Sequence, residues 1–188
     1  MTFILISGEM SVGKTHVCNR LHKIIDKDET FTVHNRQGSN CADKYDFLAH
    51  YEKDGKHIVL NSPSDNDYCM GEFGKYIDSL AANGVRPDIV IATVRQNNND
   101  NNGYPMSRML ALLDALSNGI PNLENYHKQN IERITSFAPT SLCHNTFVLN
   151  LKKQDVSNVT NKNKMLAQYA DGNAETAMQI LDLALARL

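Results

Sequence analysis

The chain has 188 residues, which is the length of a single domain. Hydrophobic residues make up 41% of the sequence and charged residues 21%, which excludes an intrinsically disordered chain. The formal net charge of -2 provides no basic excess, so there is no global nucleic-acid-binding signature.

In chain order, apolar strands alternate with amphipathic helices. Apolar and β-branched runs predict strands at 3–7, 30–34, 57–60, 88–94 and 146–151. Apolar residues at helical spacing predict helices at 14–25, 73–81, 106–116, 123–137 and 177–188. This alternation is typical of β-α-β units, so we predict an α/β fold of three layers (α/β/α) with a central, mostly parallel sheet. Right-handed crossovers bring the carboxyl ends of such strands to one edge, where ligands bind.

The clearest motif follows the first predicted strand. It has the pattern G-x-x-x-x-G-K-[ST] and consists of Gly8, Glu9, Met10, Ser11, Val12, Gly13, Lys14 and Thr15. Between a strand and a helix, this spacing indicates a phosphate-binding loop, and we include His16 in the nucleotide-binding segment. The two glycines let the backbone wrap a phosphate, while the loop amides and the helix dipole attract it. We expect Lys14 to contact the β- and γ-phosphates and Thr15 to bind Mg²⁺.

A magnesium site in such a protein needs a further oxygen ligand from a neighbouring strand end. The third predicted strand is followed by Asn61, where an acid is usual. We therefore expect Asp65, a few residues later, to serve as the acid on the metal side. In the alternative interpretation, residues 62–65 form only a turn and Asp65 caps the helix that follows.

Two arginines follow predicted strands and are candidate catalytic residues together with Lys14. Arg36 follows the second strand and Arg95 the fourth. At the ligand edge of the sheet, an arginine can clamp a phosphate or neutralise the charge that moves during phosphoryl transfer. The alternative for each is a solvated surface arginine.

The whole chain, 1–188, is interpreted as one nucleotide-binding domain. Within it, 95–139 is a candidate mobile loop or lid, because an Asn-rich stretch at 96–103 is too polar to pack. This segment could carry Arg108 over the nucleotide. No apolar run approaches the roughly 20 residues that a membrane-spanning helix needs.

The four cysteines are widely separated and form no C-x-x-C pair. This pattern favours four small buried hydrophobes in a reducing cytoplasm over a disulfide framework or a zinc site. The seven histidines show no ligand spacing of the H-x-x-x-H type, so no zinc is assigned from the sequence.

On these motifs the chain resembles a P-loop NTPase over nearly its whole length. Four segments that end strands resemble those of the ParA/MinD-type partition or positioning ATPases: TVHNRQGS, IVLNSPSD, IATVRQNN and FVLNLK. Asn61-Ser62-Pro63 resembles the D-x-P step of that family with its acid replaced, and Asn150 resembles an asparagine beside the base. The resemblance implies ATP, or GTP in its place, with Mg²⁺ as cofactors. It also implies a nucleotide-dependent homodimer that comes apart on hydrolysis.

The sequence departs from this family at three charged positions. Glu9 stands where the family has a signature lysine, His34 or Asn35 where the second strand ends in an acid, and Asn61 where the third does. Three functions therefore stay open: a ParA/MinD-like nucleoside triphosphatase switch, a kinase for a nucleotide or small molecule, and a nucleotide-binding module with little turnover. In the kinase, residues 36–56 would bind the acceptor and 95–139 would form the lid.

Overall fold

The computed structural model describes residues 1–9, 12–38, 46–63, 66–95, 106–132, 145–152 and 161–188. The strands are β1 (Thr2–Gly8), β2 (Thr32–Gly38), β3 (Phe47–Lys53), β4 (Lys56–Asn61), β5 (Ile89–Arg95) and β6 (Thr146–Asn150). The helices are α1 (Lys14–Ile25), α2 (Asp67–Ala82), α3 (Met106–Ser117), α4 (Leu123–Tyr126) and α5 (Lys162–Leu185), and a π-helical turn, His127–Ile131, continues α4.

These strands form one six-stranded sheet in the order β2-β3-β4-β5-β1-β6. Strands β4, β5, β1 and β6 are parallel, whereas β3 is antiparallel to both of its neighbours. The predicted α/β fold with a mostly parallel sheet flanked by helices is therefore confirmed, although the sheet is mixed. Helix α1, which follows β1, packs on one face of the sheet, and α3, the next described element after β5, packs on the other face. The carboxyl ends of β1 and β5 therefore border the crevice at which such sheets bind ligands.

The sequence analysis did not predict β3. Asp54 and Gly55, which connect β3 to β4, both have positive φ, at 52° and 74°. Positive φ at both central residues defines a two-residue type I′ hairpin turn, and an Asp-Gly pair is the strongest short sequence signal for it. Because β3 is antiparallel, its first residues lie at the edge where the parallel strands end.

Side chains of the strands alternate between two apolar cores, one on each face of the sheet. Phe3 and Leu5 of β1 pack with α2 and α3, while Ile4 and Ile6 pack with α1 and α5. Helix α5 begins well before residue 177, where it was predicted to begin, and its buried stripe consists mainly of alanines. None of the helices in the described part of the chain has the length and apolar character that a membrane crossing requires.

The candidate lid is described over 106–132. There α3 and α4 pack against α2, and α3 also packs against β5. Residues 96–105 and 133–139 of that segment lie outside the described residues.

Two of the cysteines can be compared with their prediction. Cys18 is buried and free, as expected of a small core residue. Cys69 is buried but disulfide-bonded, so the expectation of a reduced thiol is wrong at this position. Cys41 and Cys143 lie outside the described residues.

Candidate functional site

The loop between β1 and α1 lies at the crevice of the sheet, and its two glycines are required for different reasons. A Cβ at Gly8 would lie 2.7 Å from Val12 Cγ1 and 3.0 Å from the carbonyl oxygen of Leu151. Gly13 has φ 94° and ψ 19°, a left-handed conformation that glycine adopts without strain. The local geometry therefore explains both glycines of the motif. Met10 and Ser11 lie outside the described residues.

The ammonium group of Lys14 is held against the loop backbone. Its Nζ donates hydrogen bonds of 3.1 Å to the carbonyl oxygen of Gly8 and 2.8 Å to that of Glu9, and the residue is buried. The positive charge thus lies beside the amino terminus of α1, whose dipole also favours an anion. The next residues differ in exposure, since Thr15 is half-buried and His16 is exposed.

Thr15 contacts a buried acid that the sequence analysis missed. Its Oγ1 donates a hydrogen bond of 3.0 Å to Oδ1 of Asp46, and Ser62 Oγ donates one of 3.1 Å to the same oxygen. Asp46 is 2% exposed, so its carboxyl group is almost fully removed from water. Thr15 lies at the start of α1, Asp46 directly before β3 and Ser62 directly after β4.

The antiparallel direction of β3 explains why Asp46 was missed. The sequence analysis searched the residues that follow strands, whereas Asp46 precedes one. Asp65, which was expected to serve as the metal-side acid, lies outside the described residues and stays a prediction. The Asp54-Gly55 turn would have revealed β3, and with it an acid at the ligand edge.

The predicted arginines lie at different places in the sheet. Arg95 is the last residue of β5 and is 7% exposed. It pairs in register with Gly8, the last residue of the neighbouring strand β1. Arg36 lies within β2 instead of following it, and it is exposed. Its guanidinium group lies 4.3 Å from the centre of the Phe47 ring, and its Nη2 donates a hydrogen bond of 3.3 Å to Asn19 Oδ1. Arg95, and not Arg36, therefore adjoins the loop along the strand pairing.

Arg108 has an ion-pair partner. Its Nη1 lies 2.9 Å from Oδ1 and 2.8 Å from Oδ2 of Asp67, at the amino terminus of α2. This contact ties the first turn of α3 to the first turn of α2.

Asn150 lies on the other side of the loop from Arg95. It ends β6, pairs in register with Ser7 of β1 and is exposed. A side chain at this position is adjacent to the loop and open to solvent, as the predicted contact with a base requires.

Asn61, at the position where an acid was expected, is fully buried at the end of β4. Neither Nδ2 nor Oδ1 of its side chain has a hydrogen-bond partner among the residues that the structure describes. Leaving a buried polar group unpaired costs about 1–3 kcal/mol. Asn61 therefore keeps a polar side chain at a buried position where an apolar residue would avoid this cost.

Cys18 lies one helical turn after Lys14, close to the same acid. Burial raises the pKa of its thiol to about 12, and the Asp46 carboxylate adds to this effect. The thiol therefore stays protonated at neutral pH and is not a candidate nucleophile.

Comparison of the chain with protein-family models, with curated proteins and with solved structures finds no match. The assignment of a function therefore depends on the motif and on the contacts of the loop.

Proposed function

We propose that this chain is a P-loop protein that binds a nucleoside triphosphate with Mg²⁺ at Gly8–Thr15. It then hydrolyses the bond between the β- and γ-phosphates. The hydrogen bond between Thr15 and the buried Asp46 carries this proposal. In P-loop NTPases, the hydroxyl of the loop and an acid from a nearby strand hold Mg²⁺ together. ATP and GTP are both candidates for the nucleotide.

The residues present fit a magnesium ion. Mg²⁺ prefers oxygen ligands, few of them from protein, and here a hydroxyl and a carboxylate lie within 3.0 Å of each other. Thr15 and Asp46 would hold the ion, which would neutralise charge on the phosphates when bound. Asp46 also compensates for the missing acid at Asn61.

Each residue around the loop has a role in this proposal. The ammonium group of Lys14 contacts the carbonyl oxygens of Gly8 and Glu9 in the loop. With a nucleotide in the loop, the same group would turn to the phosphate oxygens. Arg95 would supply positive charge from within the same chain, next to Gly8, as charge develops during phosphoryl transfer.

Within this class, we propose a switch of the ParA/MinD type as the first candidate. Asn61 ends β4 and Ser62-Pro63 follow it, at the place of the D-x-P step, and Ser62 contacts the acid that we assign to magnesium. Such a switch would form a homodimer with nucleotide bound and separate after hydrolysis. Light scattering with and without ATP and Mg²⁺ tests this, and a monomer under every condition would contradict it.

A phosphotransferase is the second candidate, and the position of Arg95 favours it. Transfer of a phosphoryl group requires mainly positioning and charge neutralisation, which a buried arginine beside the loop provides. An acceptor molecule should then accelerate consumption of ATP. Of the predicted acceptor segment 36–56, the parts within β2, β3 and β4 belong to the sheet, and 39–45 lies outside the described residues.

The nucleotide-binding module with little turnover loses its main argument. That hypothesis was based on the lack of an acid at His34, Asn35 and Asn61, whereas Asp46 places an acid beside Thr15 from another position. Release of inorganic phosphate from Mg-ATP or Mg-GTP, measured with and without acceptors, separates the three functions. Steady release of phosphate with matching formation of ADP or GDP supports a hydrolase. Formation of ADP or GDP that requires an acceptor and occurs without matching release of phosphate supports a kinase, because the phosphoryl group is then on the acceptor. Binding without any product supports the module.

A further inference from the structure

Three histidines meet on neighbouring strands at the antiparallel side of the sheet. They are His34 on β2, His50 on β3 and His57 on β4, and one ring nitrogen from each lies within 4.8 Å of the other two. His50 is buried, His57 is half-buried and His34 is exposed, so the cluster opens to solvent on one side. Strands β5 and β1 and the phosphate loop lie further along the sheet, so this cluster is separate from the proposed nucleotide site.

Two of the three nitrogens already have the separation of ligands on one metal ion. His50 Nε2 lies 3.1 Å from His57 Nδ1. Two nitrogens bound to one tetrahedral Zn²⁺ at about 2.0–2.1 Å lie about 3.3 Å apart. The ring of His34 stacks on that of His50 with a centroid distance of 4.6 Å, so it is adjacent to the pair, and its imidazole would rotate out of the stack to bind the same ion.

His34 lies at an irregularity in the pairing of β2 with β3, next to His50. The register of β2 against β3 shifts between Val33 and Asn35, which leaves His34 as the extra residue of a β-bulge. Bulges redirect a side chain and occur preferentially next to functional sites. His50 and His57 reach the same face by regular alternation, because Glu52, two residues after His50, is paired with His57.

A carboxylate lies behind the most exposed histidine. Glu52 Oε2 lies 2.8 Å from His34 Nε2. Histidines that bind metals commonly donate their other ring N–H to a carboxylate, which fixes the tautomer and the orientation of the ring.

We propose that His34, His50 and His57 form a binding site for one divalent transition metal ion, of which Zn²⁺ is the first candidate. Imidazole nitrogens suit zinc, copper, nickel and iron, whereas Mg²⁺ and Ca²⁺ prefer oxygen. Three histidines leave a fourth position open to water on the exposed side. The ion would link the edge strand β2 to β3 and β4. This inference is independent of the proposed nucleotide site.

The test uses the full chain, produced without a histidine tag, stripped with a chelator and titrated with zinc chloride in excess Mg²⁺. Calorimetry should show one zinc ion per chain, and thermal denaturation should show a higher Tm with zinc, because binding to the folded state alone stabilises it. His34→Gln and His57→Gln should each weaken zinc binding by at least about 10-fold, and Glu52→Gln by about 10-fold.

His22→Gln is the matched control. His22 contacts Tyr51 of β3 with its Nδ1, 2.7 Å from the tyrosine hydroxyl, on the opposite face of the sheet from the cluster. This variant should bind zinc like the wild type. The circular dichroism of each variant shows whether it is folded, and His34, being exposed, should tolerate substitution. Absence of zinc binding by the wild type, or unchanged affinity in folded His34→Gln and His57→Gln, would overturn the proposal.

Discussion

The hydroxyl of Thr15 donates a hydrogen bond of 3.0 Å to the buried carboxylate of Asp46, although 31 residues separate the two in the sequence. Ser62 donates to the same oxygen from the end of β4. The β3–β4 hairpin explains this contact. Because the two strands are antiparallel, the start of β3 lies beside the end of β4. A loop motif and an acid from a strand that runs in the opposite direction thus form one polar site.

Asp46→Asn tests the role of this acid. The amide has nearly the same shape as the carboxylate but lacks its charge, so we expect weaker Mg²⁺ binding and turnover reduced on the order of 10- to 100-fold. Phosphate release as a function of Mg²⁺ concentration measures the effect. Asp182→Asn, an exposed acid on α5, is the control and should behave like the wild type. An unchanged Mg²⁺ dependence in Asp46→Asn would argue against the metal assignment.

Arg95→Gln separates binding from turnover. If Arg95 stabilises developing charge, its loss should lower the rate of phosphate release on the order of 100-fold and change nucleotide affinity much less. Steady-state kinetics and calorimetry measure the two quantities. Arg20→Gln, on the exposed side of α1 where Arg20 pairs with Asp171, should leave both unchanged. Equal losses of affinity and rate would instead make Arg95 an ordinary binding residue.

Two glycine-to-alanine substitutions should change stability in opposite directions. A Cβ at Gly74 of α2 would lie 2.9 Å from the amide nitrogen of Glu124, where α4 crosses closely, so we expect a loss of about 1–3 kcal/mol. A Cβ at Gly172, within α5, would have nothing within 4 Å, so Gly172→Ala should add about 0.5–1 kcal/mol. Urea denaturation measures both free energies of unfolding. A stabilised Gly74→Ala would contradict the close contact of α2 and α4.

Stability should fall in mild acid because of His127, which is fully buried in the π-helical turn. Burial lowers its pKa from 6.5, although Glu132 and Asp67 nearby oppose the shift. The unfolded chain therefore takes up a proton below about pH 6.5 that the folded chain does not, and stability declines as the pH falls through this range.

Urea denaturation at about pH 7.5 and about pH 5.5 measures this dependence in the wild type and in His127→Gln. The variant should lose less stability between the two pH values. The comparison uses the difference within each protein, so destabilisation that does not depend on pH cancels. An identical loss in both proteins would show that His127 does not titrate in this way.

The loop was predictable because its determinants are local. Gly13 needs its left-handed backbone at the start of α1, and Gly8 needs room beside Val12, so a short stretch of sequence accounts for much of the motif, although Leu151 also lies close to Gly8. Lys14 and Thr15 follow directly.

Asp46 and the histidine cluster were not predictable in the same way because they depend on strand register. Asp46 reaches Thr15 only when β3 is recognised as an antiparallel strand, and that strand has histidine and glutamate at positions 50 and 52 in place of apolar residues. His34 lies beside His50 only because β2 pairs with β3, and residue spacing does not reveal that pairing. Spacing within the sequence finds metal ligands on one helix or loop, but not ligands that three strands share.

Calorimetric titration of a non-hydrolysable ATP analogue with Mg²⁺ tests the central proposal most directly, with the GTP analogue as the alternative ligand. Wild type should bind one analogue per chain. Lys14→Ala should abolish detectable binding, because it removes a charge-assisted contact with phosphate. Lys23→Ala, which changes an exposed lysine on the same helix, should bind normally. Failure of the wild type to bind either analogue, or equal affinity of Lys14→Ala and Lys23→Ala, would contradict the proposed nucleotide site.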